Sequence, residues 1–525
     1  MTREPTKKKP RREPKPDPEA LAPEADLAAL ARGGRINFFG FILRLAARLP
    51  FLFIAGRMYG AEQLGRFAYA VLIVEFAAQL ATLGLKRGLA QQLAHTDKPH
   101  VCVVWDALLV GAVGSVIGMA LLFAFPQAMF PNSQINGMEW LLPTAVIALA
   151  WSDVMLAALA YRHDVGATVR ARAIVEPWTI SIAAFGLWFV SPRDGLLVAY
   201  ALSMIGAVIA SAIPFLKNYG VPHDWNPDPG TLWRMAVRNL PVAAADAVEW
   251  GSRRLDIAIL GLFVSPAVVG IYYVAQNIAS LPSKLKTSFD PILGPVISRN
   301  IAAGNKAAVA QQVRQVGFWV IAAQSGVALA LAIPGEGVLG LVGPAFVSGT
   351  AALAVLLFAE VVAATATVSE SALIYIARKR NMGISLAMIG IQAGFSVVLI
   401  LVAKRLGWSE IAQACGPAIG LLLALGIAAI AKARLLSHLL KAPVSGWRWE
   451  LVWAAAAAVV AGQLAILLPE WAELSVGLPA IMIAFGAVLW WRGFSPEDRE
   501  LFKMKKSDIE ELSLPDPSTG GDAPR

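Results

Sequence analysis

"RLPFLFIAGRMYGAEQLGRFAYAVLI" occupies residues 48–73, and 205 positions later the chain reads "RRLDIAILGLFVSPAVVGIYYVAQNI" (253–278). The two segments align without a gap. Arg48, Ile54, Gly56, Gly65, Ala70 and Ile73 meet Arg253, Ile259, Gly261, Gly270, Ala275 and Ile278. Six identities in 26 positions exceed the two or so that an Ala-, Gly- and Ile-rich composition gives by chance. Each copy reads as an apolar helix, a tight turn closed by glycine, and a returning helix.

What surrounds the repeat is a membrane sequence. The chain has 525 residues, 57% of them hydrophobic and 15% charged, with a mean hydropathy of +0.60. A soluble chain carries about 25% charged residues, because it must solvate a large surface. Apolar blocks such as "VWDALLVGAVGSVIGMALLFAF" (104–125) and "EIAQACGPAIGLLLALGIAAIA" (410–431) match the roughly 20 residues a bilayer crossing needs. About fourteen spans are expected, near 37–58, 64–85, 104–125, 139–160, 173–190, 195–215, 239–263, 267–290, 315–333, 349–375, 383–403, 410–431, 449–468 and 474–491. The predicted class is an all-α polytopic membrane protein. Cys102 and Cys415 make no disulfide framework, the five histidines show no ligand spacing, and neither a metal nor a cofactor is expected.

Charge fixes the expected orientation. Alternate loops and the two tails hold 36 of the 45 basic residues, including Lys86, Arg87 and Arg378–Lys379–Arg380. The intervening loops hold Arg57, Arg66, Arg193, Lys404 and Arg405. The positive-inside rule then places both termini in the cytoplasm. It also accounts for a pI of about 9.5 without nucleic acid. Residues 1–34 are rich in Pro, Lys, Glu and Ala and read as a disordered basic tail. That tail is either a topology signal or a dock for an assembly partner or anionic lipid. Residues 494–525 read as a second cytoplasmic tail.

The two repeat copies lie six spans apart and point the same way. That predicts parallel repeats about an axis along the membrane normal, with a cavity between them. The units are an N-lobe (35–218), a C-lobe (219–434) and two extra helices (435–493).

The residues that carry the repeat also carry a resemblance. "AGRMYGAEQLGRFAYAVLIVEFAAQLATLGLKRGLAQQLA" (55–94), with its Gly-x-x-x-x-Gly turn, "LGL" and basic pair, resembles the opening of polysaccharide-exporting flippases of the multidrug/oligosaccharidyl-lipid/polysaccharide superfamily. "RNLPVAAADAVEWGSRRLDIAILGLFVSPAVVGIYYVAQNIASLP" (238–282) is similar to the seventh and eighth helices of that family, and "FDPILGPVISRNIAAGN" (289–305) to the segment closing the eighth. The likeness covers roughly 36–440. It implies two six-helix lobes forming a V, and transfer of undecaprenyl-diphosphate-linked oligosaccharide units across the bacterial plasma membrane for exopolysaccharide, O-antigen or capsule synthesis. The implied partners are that lipid-linked oligosaccharide, membrane lipids, and polymerase or export proteins. A peptidoglycan-precursor (lipid II) flippase, a multidrug antiporter of the same superfamily, and a membrane polymerase or ligase of lipid-linked glycans are the alternatives. An enzyme is not expected, since the loops opposite the basic side are short and pair no base with a nucleophile.

The candidate site is a set of charges inside the spans. Arg44 and Arg48 lie one helical turn apart. Each raises the cost of inserting the first span by roughly 2.5–3.5 kcal/mol. Asp246, Glu249, Arg253 and Asp256 follow spacings of 3, 4 and 3, a stripe down one face of the seventh span, with Arg254 beside it. The expectation is that Arg44, Arg48, Arg253 and Arg254 line a central cavity for an anionic head group, since guanidinium binds phosphate oxygens two at a time. The competing expectation makes them internal staples, Glu249 pairing with Arg253 and Asp256 with an arginine of the other lobe. Glu75, Glu176, Glu360 and Glu370 are further intramembrane carboxylates, candidates for ion coupling. Asp106 and Asp153 read as near-interface residues, and Pro50, Pro177 and Pro241 as local loosening points.

Overall fold

The computed structural model describes residues 49–223, 225–283, 297–301, 303–495 and 499. Arg44, Arg48 and nearly all of both tails lie outside the described residues. Among those residues the chain is helical, with no strand. In order, the helices are α1 (residues 49–59), α2 (Gly60–Ala81), α3 (Leu85–Ala94), α4 (His100–Ala124), α5 (Ala145–Tyr161), α6 (Glu176–Trp188) and α7 (Gly195–Tyr219). There follow α8 (Pro229–Phe263), α9 (Pro266–Ala279), α10 (Lys306–Ala332), α11 (Gly335–Val342), α12 (Thr350–Ile376), α13 (Arg378–Arg405) and α14 (Glu410–Leu440). The last two are α15 (Glu450–Ala465) and α16 (Leu478–Val488).

Nine helical stretches among the described residues are long and apolar enough to cross a membrane. This makes the chain a multi-pass membrane protein. The other expected spans differ for physical reasons. α8 carries Asp246, Glu249, Arg253, Arg254 and Asp256, so its hydropathy is too low despite its length. α15 is apolar but has only 16 residues. The span expected at 173–190 is broken into a π-helical segment, Val169–Val175, followed by α6, with Pro177 in the first turn of α6. The stretch expected at 267–290 is described as a helix only for α9, and 284–296 lie outside the described residues.

Both repeat copies turn between their helices, but Gly65 and Gly270, expected to close the turns, lie inside the returning helices. α1 ends in a π-helical segment, Ala55–Tyr59, and Gly60 adopts φ +78°, a left-handed conformation that glycine takes without steric cost. In the second copy, extended Val264 and Ser265 reverse the chain, and Pro266 starts α9 with its φ already set for a helix. The returning helices of the two copies meet. A Cβ on Gly65 would lie 1.7 Å from the Pro266 carbonyl oxygen and 2.7 Å from the Gly270 nitrogen. A Cβ on Gly270 would lie 2.0 Å from the Ala61 oxygen and 2.9 Å from the Gly65 nitrogen. Gly65 and Gly270 are repeat mates, as are Ala61 and Pro266, so each copy presents the same backbone to the other.

α8 is the long element that crosses this contact region. Its 35 residues rise about 52 Å, some 20 Å beyond a hydrocarbon layer. Asp228 caps it, accepting hydrogen bonds from the backbone amides of Gly230 and Thr231. Together with the Thr231 hydroxyl, these bonds hold the Asp228 carboxyl below its ordinary pKa. On the basic side, Gly84 and Gly88 let α3 approach the Asn239–Ala243 stretch of α8. The C-terminal pair packs on α10. Phe485 of α16 covers Gly326, Gly462 of α15 meets Ile333, and Arg448 lies 3.7 Å above the Phe318 ring while donating to the Gly493 carbonyl.

Candidate functional site

The charged stripe of α8 is the natural centre of a site, and its place along the helix follows from the rise per residue. Counted back from Phe263, Arg253 lies about 15 Å and Arg254 about 13 Å along the helix axis. Asp246 lies about 25 Å along, toward the basic side.

The stripe does not act as one face. Asp246 is buried, with Oδ1 3.0 Å from Nη1 of Arg87, while the other nitrogen of that guanidinium donates to Glu249 at 2.7 Å. Glu249 is also the partner of Arg253, one turn on, at 3.4 Å. Arg253 is 69% exposed, and among the described residues its guanidinium is anchored only by Glu249. Asp256 is 1% exposed. Its Oδ2 accepts from the Tyr272 hydroxyl at 2.9 Å and from Gln276 Nε2 at 2.7 Å, and its Oδ1 has no hydrogen-bond partner among the described residues.

Arg253 and Arg254 therefore part company. Successive helix residues point about 100° apart, and Arg254 turns toward the first half of the chain, 3.3 Å from Glu75 on α2. Its guanidinium also lies 5.8 Å from the centre of the Trp250 ring, which stacks on Phe76 of α2. Among the described residues Asp256 meets a tyrosine and a glutamine of α9 rather than an arginine, while Arg44 and Arg48, from which the expected partner could come, lie outside them. The Glu249–Arg253 staple is present, and Arg87 widens it into a four-member network joining α3 to α8.

Two of the other expected acids, Glu176 and Glu370, are held by basic partners. Glu176 accepts from Arg172 at 2.8 Å, and the same guanidinium bridges to Asp153, which also takes Lys86 at 3.2 Å. Glu370 of α12 pairs at 3.1 Å with Lys432 of α14, a lysine only 4% exposed that also donates to Ser385 of α13. Glu360 is half-buried on α12.

Two groups escaped the sequence reading. Lys432 was assigned to a basic loop, yet it sits inside α14. On the side opposite the basic loops, Glu139 is 1% exposed and takes Arg66 at 2.7 Å, Arg193 at 3.2 Å and the Gly137 amide. Nearby, the Asn132 side chain donates to the carbonyls of Gly261 and Val264, tying the 126–138 loop to the end of α8. The signal for Glu139 was the presence of two arginines among so few basic residues on that side.

A multi-pass helical architecture, with ion pairs joining its first and second halves, is the kind of frame on which the class of membrane transport proteins is built. The fold agrees with solved members of that class. It is similar to the lipid II flippase MurJ in an inward closed conformation, with a TM-score of 0.60 at 11% identity over 87% of this chain and 99% of that one. It is also similar to a multidrug resistance MATE family transporter of the MOP superfamily in an inward-facing conformation, with a TM-score of 0.56 at 15% identity over 76% of this chain and 99% of that one. At such identities the likeness shows the fold alone. The sequence matches a family model described as polysaccharide biosynthesis protein over residues 54–320, and the chain belongs to that family. A search of curated proteins gives no match.

Proposed function

We propose that the protein is a flippase that carries undecaprenyl-diphosphate-linked oligosaccharide repeat units from the cytoplasmic to the outer leaflet of the bacterial plasma membrane. The proposed frame is the fourteen-span arrangement: lobes 35–218 and 219–434 in a V, helices 435–493 appended, and both termini cytoplasmic. The observation that carries the reading is Arg253, a guanidinium within a proposed span, 69% exposed. Its one partner among the described residues, Glu249, is shared with Arg87, so the cation is only partly compensated, and an anionic ligand offsets the remaining cost. A diphosphate suits the planar, permanently charged fork.

Arg44, Arg48 and Arg254 complete the proposed anion site. Arg254 enters it only when Glu75 yields, so Glu75 serves as a placeholder for phosphate. Asp256, with one carboxylate oxygen open, is the proposed coupling residue. Lipid II presents the same diphosphate to the same arginines, so the choice between the two cargoes rests on the sugar. Polymerase or export proteins are the proposed partners in the polysaccharide pathway.

The test is transbilayer movement of a labelled undecaprenyl-diphosphate oligosaccharide in proteoliposomes, with lipid II and an organic cation as rival cargoes. Movement by wild type that Arg253→Ala abolishes at unchanged protein level supports the reading. Movement of the organic cation alone overturns it and makes the arginines structural.

A further inference from the structure

A cavity of about 510 Å³ opens on the basic side, far from the Arg253 site. It lies between the start of α4 and the 220–228 connector that leads into α8. Its size is within the range of small-molecule sites. Buried Asp106 forms its floor, and exposed Lys98, His223 and Asn226 form its rim. Trp225 is the wall. Its Nε1 donates to Asp106 Oδ1 at 2.8 Å, and its ring lies 5.8 Å from that of Trp105, which is itself tied to the Gly220 carbonyl. The pocket is thus shaped by a fixed aromatic rather than by a loose loop.

Asp106 is the anomaly. It is buried, yet among the described residues it has no cationic partner, only the neutral indole. A buried carboxylate in that position lacks the counter-charge that normally compensates its desolvation. A cation arriving through the rim supplies it, and Lys98 at the same rim offers a positive charge to an anionic group of the same ligand. The face of α4 that carries Asp106 continues through Val113 and Ile117, seven and eleven residues on, both more than half exposed. An apolar track therefore leads from the cavity along a membrane-crossing helix.

We propose that this cavity binds a zwitterionic phospholipid headgroup of the phosphoethanolamine type. The ammonium sits on Asp106 beside the Trp225 ring, the phosphate on Lys98, and the acyl chains follow Val113 and Ile117. A lipid held there is clamped against the connector between the first and second halves of the chain.

Cys102 lines the cavity, and Cys415 is the other cysteine of the sequence. The full-length Cys415→Ala protein is placed in nanodiscs of phosphatidylglycerol alone or mixed with phosphatidylethanolamine, and the rate of Cys102 alkylation by a water-soluble maleimide is measured. Phosphatidylethanolamine is expected to slow alkylation about tenfold, the scale of one charge-assisted hydrogen bond. Phosphatidylcholine, whose ammonium has no N–H to donate, protects less. Exposed Lys98→Ala and near-isosteric Asp106→Asn each abolish the protection.

Phospholipid retained through purification, measured by mass spectrometry, gives a second readout independent of thiol reactivity, and Lys98→Ala lowers its phosphatidylethanolamine share. Equal alkylation rates and equal retention of the two lipids overturn the proposal, as does protection that survives both substitutions. Soluble glycerophosphoethanolamine that protects the detergent-solubilised protein as well as the lipid does overturns the lipid assignment in favour of a free headgroup ligand.

Discussion

Replacing Gly65 with alanine adds one methyl group at the place where the two repeat copies touch. The new Cβ would lie 1.7 Å from the Pro266 oxygen, whereas even a tight Cβ contact needs 3.0–3.4 Å. α2 and α9 must therefore separate by roughly 1.5 Å, because the obstructing atom is backbone and has no rotamer to change. A gap of that size forfeits more than half of the dispersion energy along the seam. Overpacking of this kind costs about 1–3 kcal/mol, a shift of roughly five- to 150-fold toward any arrangement in which the two helices have parted. Gly270→Ala meets the Ala61 oxygen at 2.0 Å and should cost about the same. The double variant should cost less than the sum, since one separation relieves both clashes.

The assay is the thermal midpoint in detergent together with the distance between spin labels at Glu62 and Ala267. Gly186→Ala is the control, because no atom lies within 4 Å of its added Cβ. It should be neutral or stabilising by up to about 1 kcal/mol, as for glycine in a helix interior. If Gly65→Ala matches Gly186→Ala in both readouts, the reciprocal contact does not hold the helices and the reasoning fails.

Arg253→Ala should leave the thermal midpoint within about 0.5 kcal/mol of wild type, since the side chain is exposed, while abolishing diphosphate-lipid movement in proteoliposomes; Arg253→Lys should recover only part of it. Glu139→Ala strands two guanidinium groups around a buried position and should destabilise by about 3–5 kcal/mol in thermal melts, with Glu139→Gln costing less. Lys432→Met leaves Glu370 without its partner and should lower the melting temperature, whereas Lys432→Met/Glu370→Met should restore or exceed wild type. A charge-swapped Glu75→Arg/Arg254→Glu protein should melt closer to wild type than either single change and yet transport poorly, because the cation then sits on α2.

Much of the fold was legible because the membrane makes it so. A run of apolar residues near bilayer length has few alternatives to a helix, and the small residues of the repeat marked where helices come closest. Gly65 and Gly270 were matched by sequence alone, and they touch. The sites were less legible, because spacing on a helix names a face but not what packs on it. The i, i+3, i+7, i+10 stripe in α8 placed Asp246, Glu249, Arg253 and Asp256 on one face. It gave no means to see that Glu249 would be shared between Arg87 and Arg253, or that Arg254 would reach across to Glu75. Lys432 and Glu139 lay near predicted span ends, where a shift of a few residues moves a charge from loop to helix interior.

Under the proposed function, in which a carrier opens to one face of the membrane at a time, the meeting of Gly65 with Gly270 has a mechanical meaning. At Gly65 and Gly270 the two helices touch through backbone with no side chain between them, which suits that point to be a fulcrum. A tilt of about 10° there displaces a helix end 30 Å away by about 5 Å, roughly the width of a sugar ring. The Arg87 network on the basic side lies toward the far end of that lever, where a few hydrogen bonds resist the largest motion. Large swings at the basic face would then be governed by a handful of ion pairs, while the glycine seam scarcely moves.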